Sequence, residues 1–524
     1  MSLSLGPFTR APRLEGAVTL RRAARANRSR RGGVDRSPST PRSNGSSRTV
    51  VKVQAFLPDL GQTLGAIKRK EGALNLPPGK VGLFGARETI EYLQDPRAFI
   101  KKRVALYGPV FKTGFFFKPA IVFGSKEAVE EFRSFEASLP ADEALPETFR
   151  ELHTAYGALR QSGAQHKATR ANFGKVLGRA ALAHYAPIIA RQTRDFVQGE
   201  LAEKGQLQVG YECRQFCLRS LFELFVGTVP PEDTMNKMYD YNEGLLALGK
   251  LSPEFEGGKK ALENLTEFIL KHYRTVRAQG KLDDPEYFFL RQYSEATDEN
   301  GELFTDERVA TTCVLMVWGA YIEAAASMGH TAWLLMRNPA AAERVRKESR
   351  DAFTADQLRS ASITLEKAME LKYTEAAVKE ALRVVPQTAG GLRVNPTTRT
   401  LAGYDIPAGY VLTADPRIPF LDPENYPEPE EYRPERFLPE GSGENNVAAD
   451  TFFPGGMGQH QCPGINLSTL MTQTFLAYMT HTFDGWEPNL EDEGSEDPQY
   501  IHVPIVIIDD RYKLDLKRNW QYDM

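Results

Sequence analysis

The sequence predicts a mainly α-helical domain that carries a small β-rich lobe. Helical hydrophobic patterns follow one another through the middle of the chain as far as about Pro339. One of them, Thr305–Arg337, would be roughly 50 Å long and would therefore run through the core. Strand character is limited to short apolar runs, and two of these, Val110–Thr113 and Ala120–Phe123, flank a turn-like segment.

The elements of this domain can be placed in chain order. Leu76–Gly79, which contains two prolines and a glycine, is a rigid turn that opens the folded body. The long helix has Thr305 as its N-cap and two acids in its first turn, and Asn338–Pro339 ends it. Further helices are expected as far as Arg383. A proline-rich, irregular region follows, with strand-like runs such as Gly409–Thr413.

The length of 524 residues, with 41% hydrophobic residues and a formal net charge of -3, is compatible with one large folded domain. This near-neutral balance gives no reason to expect nucleic-acid binding. Four cysteines in so long a chain do not form a disulfide framework, which indicates a reducing compartment. Cys213 and Cys217 share a helix face without further His or Cys neighbours, so we expect core packing rather than zinc binding.

The N-terminal residues differ from the rest of the chain. Residues 1–55 are dense in arginine and serine, with Glu15 and Asp35 as their only acids, which is typical of an organelle transit peptide. A plastid is favoured over a mitochondrion, and a disordered basic tail is the alternative. Residues 56–75 form a linker with an amphipathic part that could rest on a membrane surface, and no run is apolar enough to predict a transmembrane anchor. The domain itself is expected over residues 76–524.

Near the C-terminus, a glycine-rich loop presents Cys462 immediately before an apolar helical segment. The N-terminal amides and dipole of that helix would point toward the sulfur and favour a thiolate. Glycines on either side allow the backbone to approach a flat ligand closely. A thiolate held in this way suits the axial position of an iron-bearing macrocycle.

This loop resembles the heme-binding loop of the cytochrome P-450 superfamily. Gly458, His460, Cys462 and Gly464 match its pattern, whereas Gly455 stands where the family has phenylalanine. Phe452 and Phe453 are near enough in sequence to cover the sulfur from a shifted position. The resemblance implies the cytochrome P-450 fold, with heme b between the long helix and the cysteine loop, and Cys462 as the iron ligand.

Two further motifs occur in the order that the family has. Glu380 and Arg383 lie three residues apart on a helix, which by itself would indicate a surface ion pair. Arg436 follows in a Pro-Glu-Arg-Phe segment before the cysteine loop. The resemblance implies that the three side chains form a buried triad, whose use would be to fix the geometry of the loop.

Four cations match positions that bind the heme carboxylates in the family. His166 and Arg170 are four residues apart and share a helix face. Arg393 lies in a strand after the Glu380 helix, and His460 precedes the cysteine by two residues. Each alone could be a surface residue, but together they supply the cations that a dianionic cofactor requires.

The centre of the long helix departs from the family pattern. Glu323 matches the acid that delivers protons to iron-bound dioxygen, but Ala324 replaces the usual threonine. Ser327, three residues after Ala324, is the candidate replacement donor. Loss of the threonine also occurs in branches of the family that rearrange hydroperoxides, although the cysteine loop has no insertion of the kind those branches carry.

The resemblance implies a monooxygenase that acts on a sizeable apolar substrate, and segments of the chain look most like the sterol, retinoid and isoprenoid branch. No dinucleotide-binding fingerprint is present, so a separate flavoprotein reductase or ferredoxin must supply electrons. Substrate is expected to enter between the segments 231–257 and 141–157, with residues 388–392 lining the pocket. A reductase-independent isomerase or lyase and a non-catalytic heme-binding protein are the alternatives.

Overall fold

The computed structural model describes residues 74–82, 85–247, 249–439, 451–489, 500–502 and 505–519. The expected transit peptide or basic tail, residues 1–55, lies outside these residues, and so does nearly all of the 56–75 segment. The boundary at residue 76 therefore stays a prediction. The described chain begins just before the expected rigid turn, where Lys112 donates a backbone hydrogen bond to the Pro78 carbonyl at 2.7 Å.

Helices make up most of the described chain, and the predicted fold class is confirmed. The described α-helices of four or more residues are α1 (Ala86–Gln94), α2 (Pro96–Tyr107), α3 (Lys126–Phe135), α4 (Glu147–Leu152), α5 (Gly163–Leu177), α6 (Arg179–Arg194), α7 (Val209–Val226), α8 (Thr234–Leu245), α9 (Pro253–Ala278), α10 (Phe288–Ser294), α11 (Asp306–Arg337), α12 (Pro339–Ala352), α13 (Ala355–Arg359), α14 (Leu365–Ala368), α15 (Lys372–Val384) and α16 (Ile465–Thr482). A π-helical stretch, Asp195–Leu201, continues α6.

The strands form small sheets. They are β1 (Val110–Phe115), β2 (Lys118–Phe123), β3 (Gln206–Gln208), β4 (Arg393–Val394), β5 (Arg399–Leu401), β6 (Tyr404–Ile406), β7 (Val411–Ala414), β8 (Phe483–Pro488), β9 (Tyr500–His502), β10 (Val506–Ile508) and β11 (Lys513–Arg518). The described sheets have the orders β1-β2-β7-β4, β3-β11-β8, β10-β9 and β5-β6. This is the small β-rich part that the short apolar runs predicted.

The first hairpin is longer than the sequence suggested. The expected strands end at Thr113 and begin again at Ala120, but β1 and β2 pair from Val110↔Phe123 to Phe115↔Lys118. Only Phe116 and Phe117 connect them, with φ of 46° and 64°. Positive φ at both positions suits the twist of a two-residue hairpin, yet phenylalanine rarely adopts it. The sequence predicted the end of β1 too early and the start of β2 too late, because no glycine or asparagine marks the two-residue turn.

The long helix α11 is confirmed almost to the residue. The Thr305 hydroxyl accepts a hydrogen bond from the Arg308 N–H at 3.2 Å, as an N-cap does. By length and composition α11 could cross a bilayer, but most of it is buried inside the protein. It packs against α7, α9 and α16, so it is a core helix.

Helix α16 follows the cysteine loop and packs on α11 and α12. Its apolar residues, among them Met471, Phe475 and Tyr478, are buried. This packing fixes the position of the loop relative to the long helix. Cys213 and Cys217 lie fully buried in the same core, as their spacing predicted.

Candidate active site

The cysteine loop is closed by a short backbone hydrogen bond. The Cys462 N–H donates to the Gly455 carbonyl at 2.6 Å. A Cβ atom on residue 455 would lie 2.8 Å from the Cβ of Cys462, which is closer than two such atoms pack. This backbone therefore requires glycine where the family pattern has phenylalanine. Phe452 and Phe453 form ring contacts with Phe420, at centroid distances of 5.3 and 5.4 Å.

The Cys462 side chain lies close enough to Glu323 and Arg170 for their charges to act on its thiol. The side chain keeps accessible surface although protein atoms surround it. Burial is the largest influence on its pKa and raises it above the usual value, while N–H groups of Gly464 and Ile465 donate to the sulfur and lower it. The predicted effect of the helix amides is present, but burial outweighs it. A stable thiolate here needs a metal cation at the sulfur.

Helix α5 brings His166 and Arg170 to the cysteine loop. Arg170 Nη1 donates to the Gln461 carbonyl at 2.8 Å. The ring of His166 stacks on that of His460, with centroids 4.0 Å apart. Burial and the neighbouring cations lower the pKa of His166 to about 4, so this ring is neutral at physiological pH. Arg170 is thus the cation that α5 contributes.

A buried acid that the sequence did not single out joins His460 to Arg393. Glu136 Oε2 accepts from Arg393 Nε at 3.1 Å and lies 3.0 Å from His460 Nδ1. Burial alone would raise the pKa of Glu136, but the hydrogen bond with His460 and the charge of Arg393 outweigh burial and lower it. Glu136 follows an ordinary amphipathic helix, and no spacing rule connects it with residues more than 250 positions away.

Glu380, Arg383 and Arg436 are brought together in the interior. Arg383 donates from Nε and Nη2 to the Glu380 carboxylate at 2.8 and 2.7 Å, and Arg436 Nε donates to it at 3.2 Å. Arg383 Nη1 also donates to the carbonyls of Phe420 and Pro429. All three charged side chains are buried. The surface ion pair that the i, i+3 spacing alone would indicate is therefore not what the structure has.

The centre of α11 presents an acid without a partner. Glu323 Oε2 is buried and has no hydrogen-bond partner in the part of the chain that the structure describes. Burial raises the pKa of Glu323 to about 8, so the carboxyl is mainly protonated at neutral pH. Ala324 is buried beside it and offers no hydroxyl. The hydroxyl of Ser327 accepts from Thr472 Oγ1 at 3.4 Å, which directs it toward α16.

These side chains fit a heme. Cys462 offers a sulfur ligand, and Arg393 and His460 each keep a nitrogen that bonds to nothing in the described part of the chain. His460 Nε2 is buried without a partner, and Arg393 commits Nε and Nη1 but, within the described residues, not Nη2. Gly458 lies against Glu136, where a Cβ atom would come within 2.5 Å of Oε1, so the loop can be no bulkier there.

The fold and this donor set define a heme-thiolate protein. The sequence profile of the family described as Cytochrome P450 matches residues 232–515, more than half of the chain. The chain belongs to this family. The resemblance seen in its motifs is thereby confirmed, and heme is its cofactor.

Individual relatives agree with this assignment. A taxane 10-beta-hydroxylase of Taxus cuspidata is 27% identical over 432 residues, which span 79% of this chain and 85% of the relative. Cytochrome P450 26A1 of Danio rerio is 24% identical over 419 residues, or 77% and 84% of the two chains. Retinoic acid-bound cyanobacterial CYP120A1 matches with a TM-score of 0.76 and 23% identity, covering 85% of this chain and 100% of that one. The family and these relatives make the protein a P450 monooxygenase.

Proposed function

We propose that this monooxygenase inserts one oxygen atom from dioxygen into a sizeable apolar substrate of the sterol or isoprenoid type. The observation that carries the proposal is the set of relatives, because taxanes and retinoic acid both have isoprenoid carbon skeletons. Heme bound through a thiolate supplies the oxygen activation. The protein's own residues hold the heme, provide a proton and shape the substrate pocket.

The side of α11 that carries Trp318 supports an apolar pocket. The Trp318 ring contacts Phe149 of α4 and His153, which follows α4, at centroid distances of 6.0 and 5.3 Å, and Tyr241 of α8 at 5.9 Å. His153 Nδ1 is buried and without a partner. We infer that these rings form a wall against which an extended apolar substrate packs, with residues 388–392 opposite.

The expected substrate entrance is closed in this structure. Thr148 Oγ1 donates to the Leu245 carbonyl at 3.1 Å, and the Tyr241 hydroxyl donates to the Leu152 carbonyl at 3.1 Å. These bonds join the segments 141–157 and 231–257. Entry of substrate between the two segments would require α4 and α8 to separate, as lids in enzymes do.

The proposed heme-binding roles follow from the contacts. Cys462 binds the iron, and Gly458 and Gly464 keep its loop compact. Arg170, Arg393 and His460 bind the heme carboxylates, with His166 stacked beneath His460. The triad of Glu380, Arg383 and Arg436 is proposed to hold the segment before the loop.

On the other side of the heme, Glu323 is the proposed proton donor. Its carboxyl is mainly protonated near neutral pH, and Oε2 has no hydrogen-bond partner among the described residues. Ala324 leaves room for an ordered water or a substrate hydroxyl in place of the threonine hydroxyl. Ser327 is the candidate second donor, one helical turn after Glu323. General acids of this kind contribute roughly 10²–10⁴-fold to a rate.

The relatives favour oxygen insertion over the alternatives that the loss of threonine raised. The relative with the highest identity quoted above is named a hydroxylase, which consumes dioxygen rather than a hydroperoxide. Electrons would come from a ferredoxin or a flavoprotein reductase. Incubation with the terpenoid and retinoid substrate classes, dioxygen, NADPH and either donor tests the proposal. Product formed from a lipid hydroperoxide without any reductant would contradict it.

We further propose that residues 1–55 direct the protein to the plastid, where a ferredoxin is the electron donor, and that 56–75 provide peripheral membrane contact. The basis is the arginine- and serine-rich composition. Residues 1–75 fused to a fluorescent protein should enter isolated chloroplasts and be shortened there. A matched fusion with the arginines of residues 1–55 replaced by glutamate should stay outside. Import into isolated mitochondria but not into chloroplasts would mean that residues 1–55 direct the protein to the mitochondrion.

A further inference from the structure

Glu136 is a buried carboxylate in contact with Arg393 and His460, two of the residues proposed to bind the cofactor's carboxylates. It begins a 3₁₀ turn, Glu136–Ser138, directly after α3, and is 2% exposed. Its Oε2 bonds to Arg393 Nε at 3.1 Å, and its two oxygens are 3.3 and 3.0 Å from His460 Nδ1. Gly458 of the cysteine loop lies directly against Oε1.

The contacts divide the nitrogen atoms of Arg393 and His460 into two sets. Arg393 Nε and His460 Nδ1 face Glu136, whereas Arg393 Nη2 and His460 Nε2 bond to nothing in the described part of the chain. Arg393 Nη2 remains available as a donor to one heme carboxylate. Because heme carries two carboxylates, Glu136 adds a third negative charge near the buried Arg393 and the half-buried Arg170.

From this geometry we propose that Glu136 is a positioning residue that shares Arg393 and His460 with one heme carboxylate. It holds both side chains in the orientation that receives the carboxylate, and its charge weakens heme retention and lowers the heme reduction potential. The inference rests on the proposed heme site. A negative charge near the cofactor disfavours addition of an electron, and like charges in a buried site repel.

Glu136→Gln keeps the size of the side chain and removes its charge. We expect the reduction potential of the heme to rise, and heme transfer to excess apomyoglobin to slow on the order of tenfold. Glu136→Asp restores the charge and should return both quantities toward wild type. Glu130→Gln is the matched control, because Glu130 is an exposed acid on the preceding helix, and it should change neither.

Two results would overturn the inference. One is a Glu136→Gln protein whose potential and heme transfer rate equal those of the wild type. The other is faster heme loss with no change of potential, which would mean that Glu136 only supports the fold. The carbon monoxide spectrum of the wild type tests the heme-thiolate site independently, so an intact band with no Glu136 effect would reject this inference alone.

Discussion

The two walls of the site, the cysteine loop and the centre of α11, are built differently. At the loop, hydrogen bonds hold the N–H and the sulfur of Cys462. Arg170 Nη1 and His460 Nδ1, beside the cysteine, are also hydrogen-bonded. In the centre of α11, Glu323 Oε2 has no partner and Ala324 offers no polar group. Apart from His460 Nε2, which is left for the cofactor, these loop groups are hydrogen-bonded within the described residues, whereas Glu323 at the centre of α11 needs water or substrate to complete its hydrogen bonds.

Two buried carboxylates show the same contrast. Burial raises the pKa of Glu136, but its hydrogen bond with His460 and the charge of Arg393 outweigh burial and lower the pKa below the usual value. Glu323 has no such partner, and burial raises its pKa to about 8. Burial is common to both, so the partner decides which carboxyl is ionised. A fixed anion suits the holding of a cofactor, and a held proton suits catalysis.

The largest expected effect comes from the loop. Cys462→Ala should abolish the carbon monoxide difference band of the reduced protein and all monooxygenase activity, because no sulfur remains to bind the iron. Cys313→Ala removes a buried thiol in the core and should keep the band. A thiolate-type band in the Cys462→Ala protein would show that another residue binds the iron.

The next effect is on stability. Glu380→Gln leaves Arg383 and Arg436 buried without their carboxylate, and we expect it to cost about 3–5 kcal/mol in denaturant unfolding. Glu375→Gln, on the same helix, breaks only partly exposed pairs with lysines and should cost below about 1 kcal/mol. Equal costs for the two variants would mean that the triad does not stabilise this part of the fold.

Glu323→Gln tests the other wall. It should lower kcat on the order of 10²-fold or more, since the amide cannot deliver a proton, while the carbon monoxide band stays normal. Thr311→Val, which removes a hydroxyl from an early turn of the same helix, should change kcat little. Unchanged turnover in Glu323→Gln would place the proton path elsewhere.

The raised pKa of Glu323 also predicts a pH dependence of stability. The folded protein binds this proton more tightly than the unfolded chain, so stability is lost as the pH rises from about 4.3 toward 8. Glu323→Gln has no carboxyl to ionise at this position, so it does not lose stability in this way. Its free energy of unfolding relative to that of wild type should therefore increase by up to a few kcal/mol between pH 5 and pH 8.5. Urea unfolding at the two pH values measures it. If the difference in unfolding free energy between the two proteins is the same at both pH values, the pKa of Glu323 is raised less than its burial implies.

The smallest expected effect is on coupling. Ala324→Thr should raise the fraction of electrons that appear in product severalfold, because the hydroxyl restores a donor beside Glu323. Ala324→Val has the same shape without the hydroxyl and controls for crowding. An equal response of the two variants would count against a role for a hydroxyl at this position.

Sequence motifs predicted what depends on local pattern. Residue periodicity and capping located α11, and motif order indicated that Glu380, Arg383 and Arg436 meet. Glu136 was missed because its partners are distant in sequence and its neighbours resemble any helix end. Phe116 and Phe117 were missed because no turn residue marks the connection. Contacts that tertiary packing alone creates leave no such signal.

Gly455 limits the substitutions that can be engineered into the cysteine loop. Restoring the family's phenylalanine would look like a safe consensus change, and such changes often stabilise proteins. Here any side chain at 455 meets the Cβ of Cys462 at 2.8 Å. Gly455→Phe would therefore require a shift of the loop backbone. We do not expect the loop to tolerate it as a single substitution.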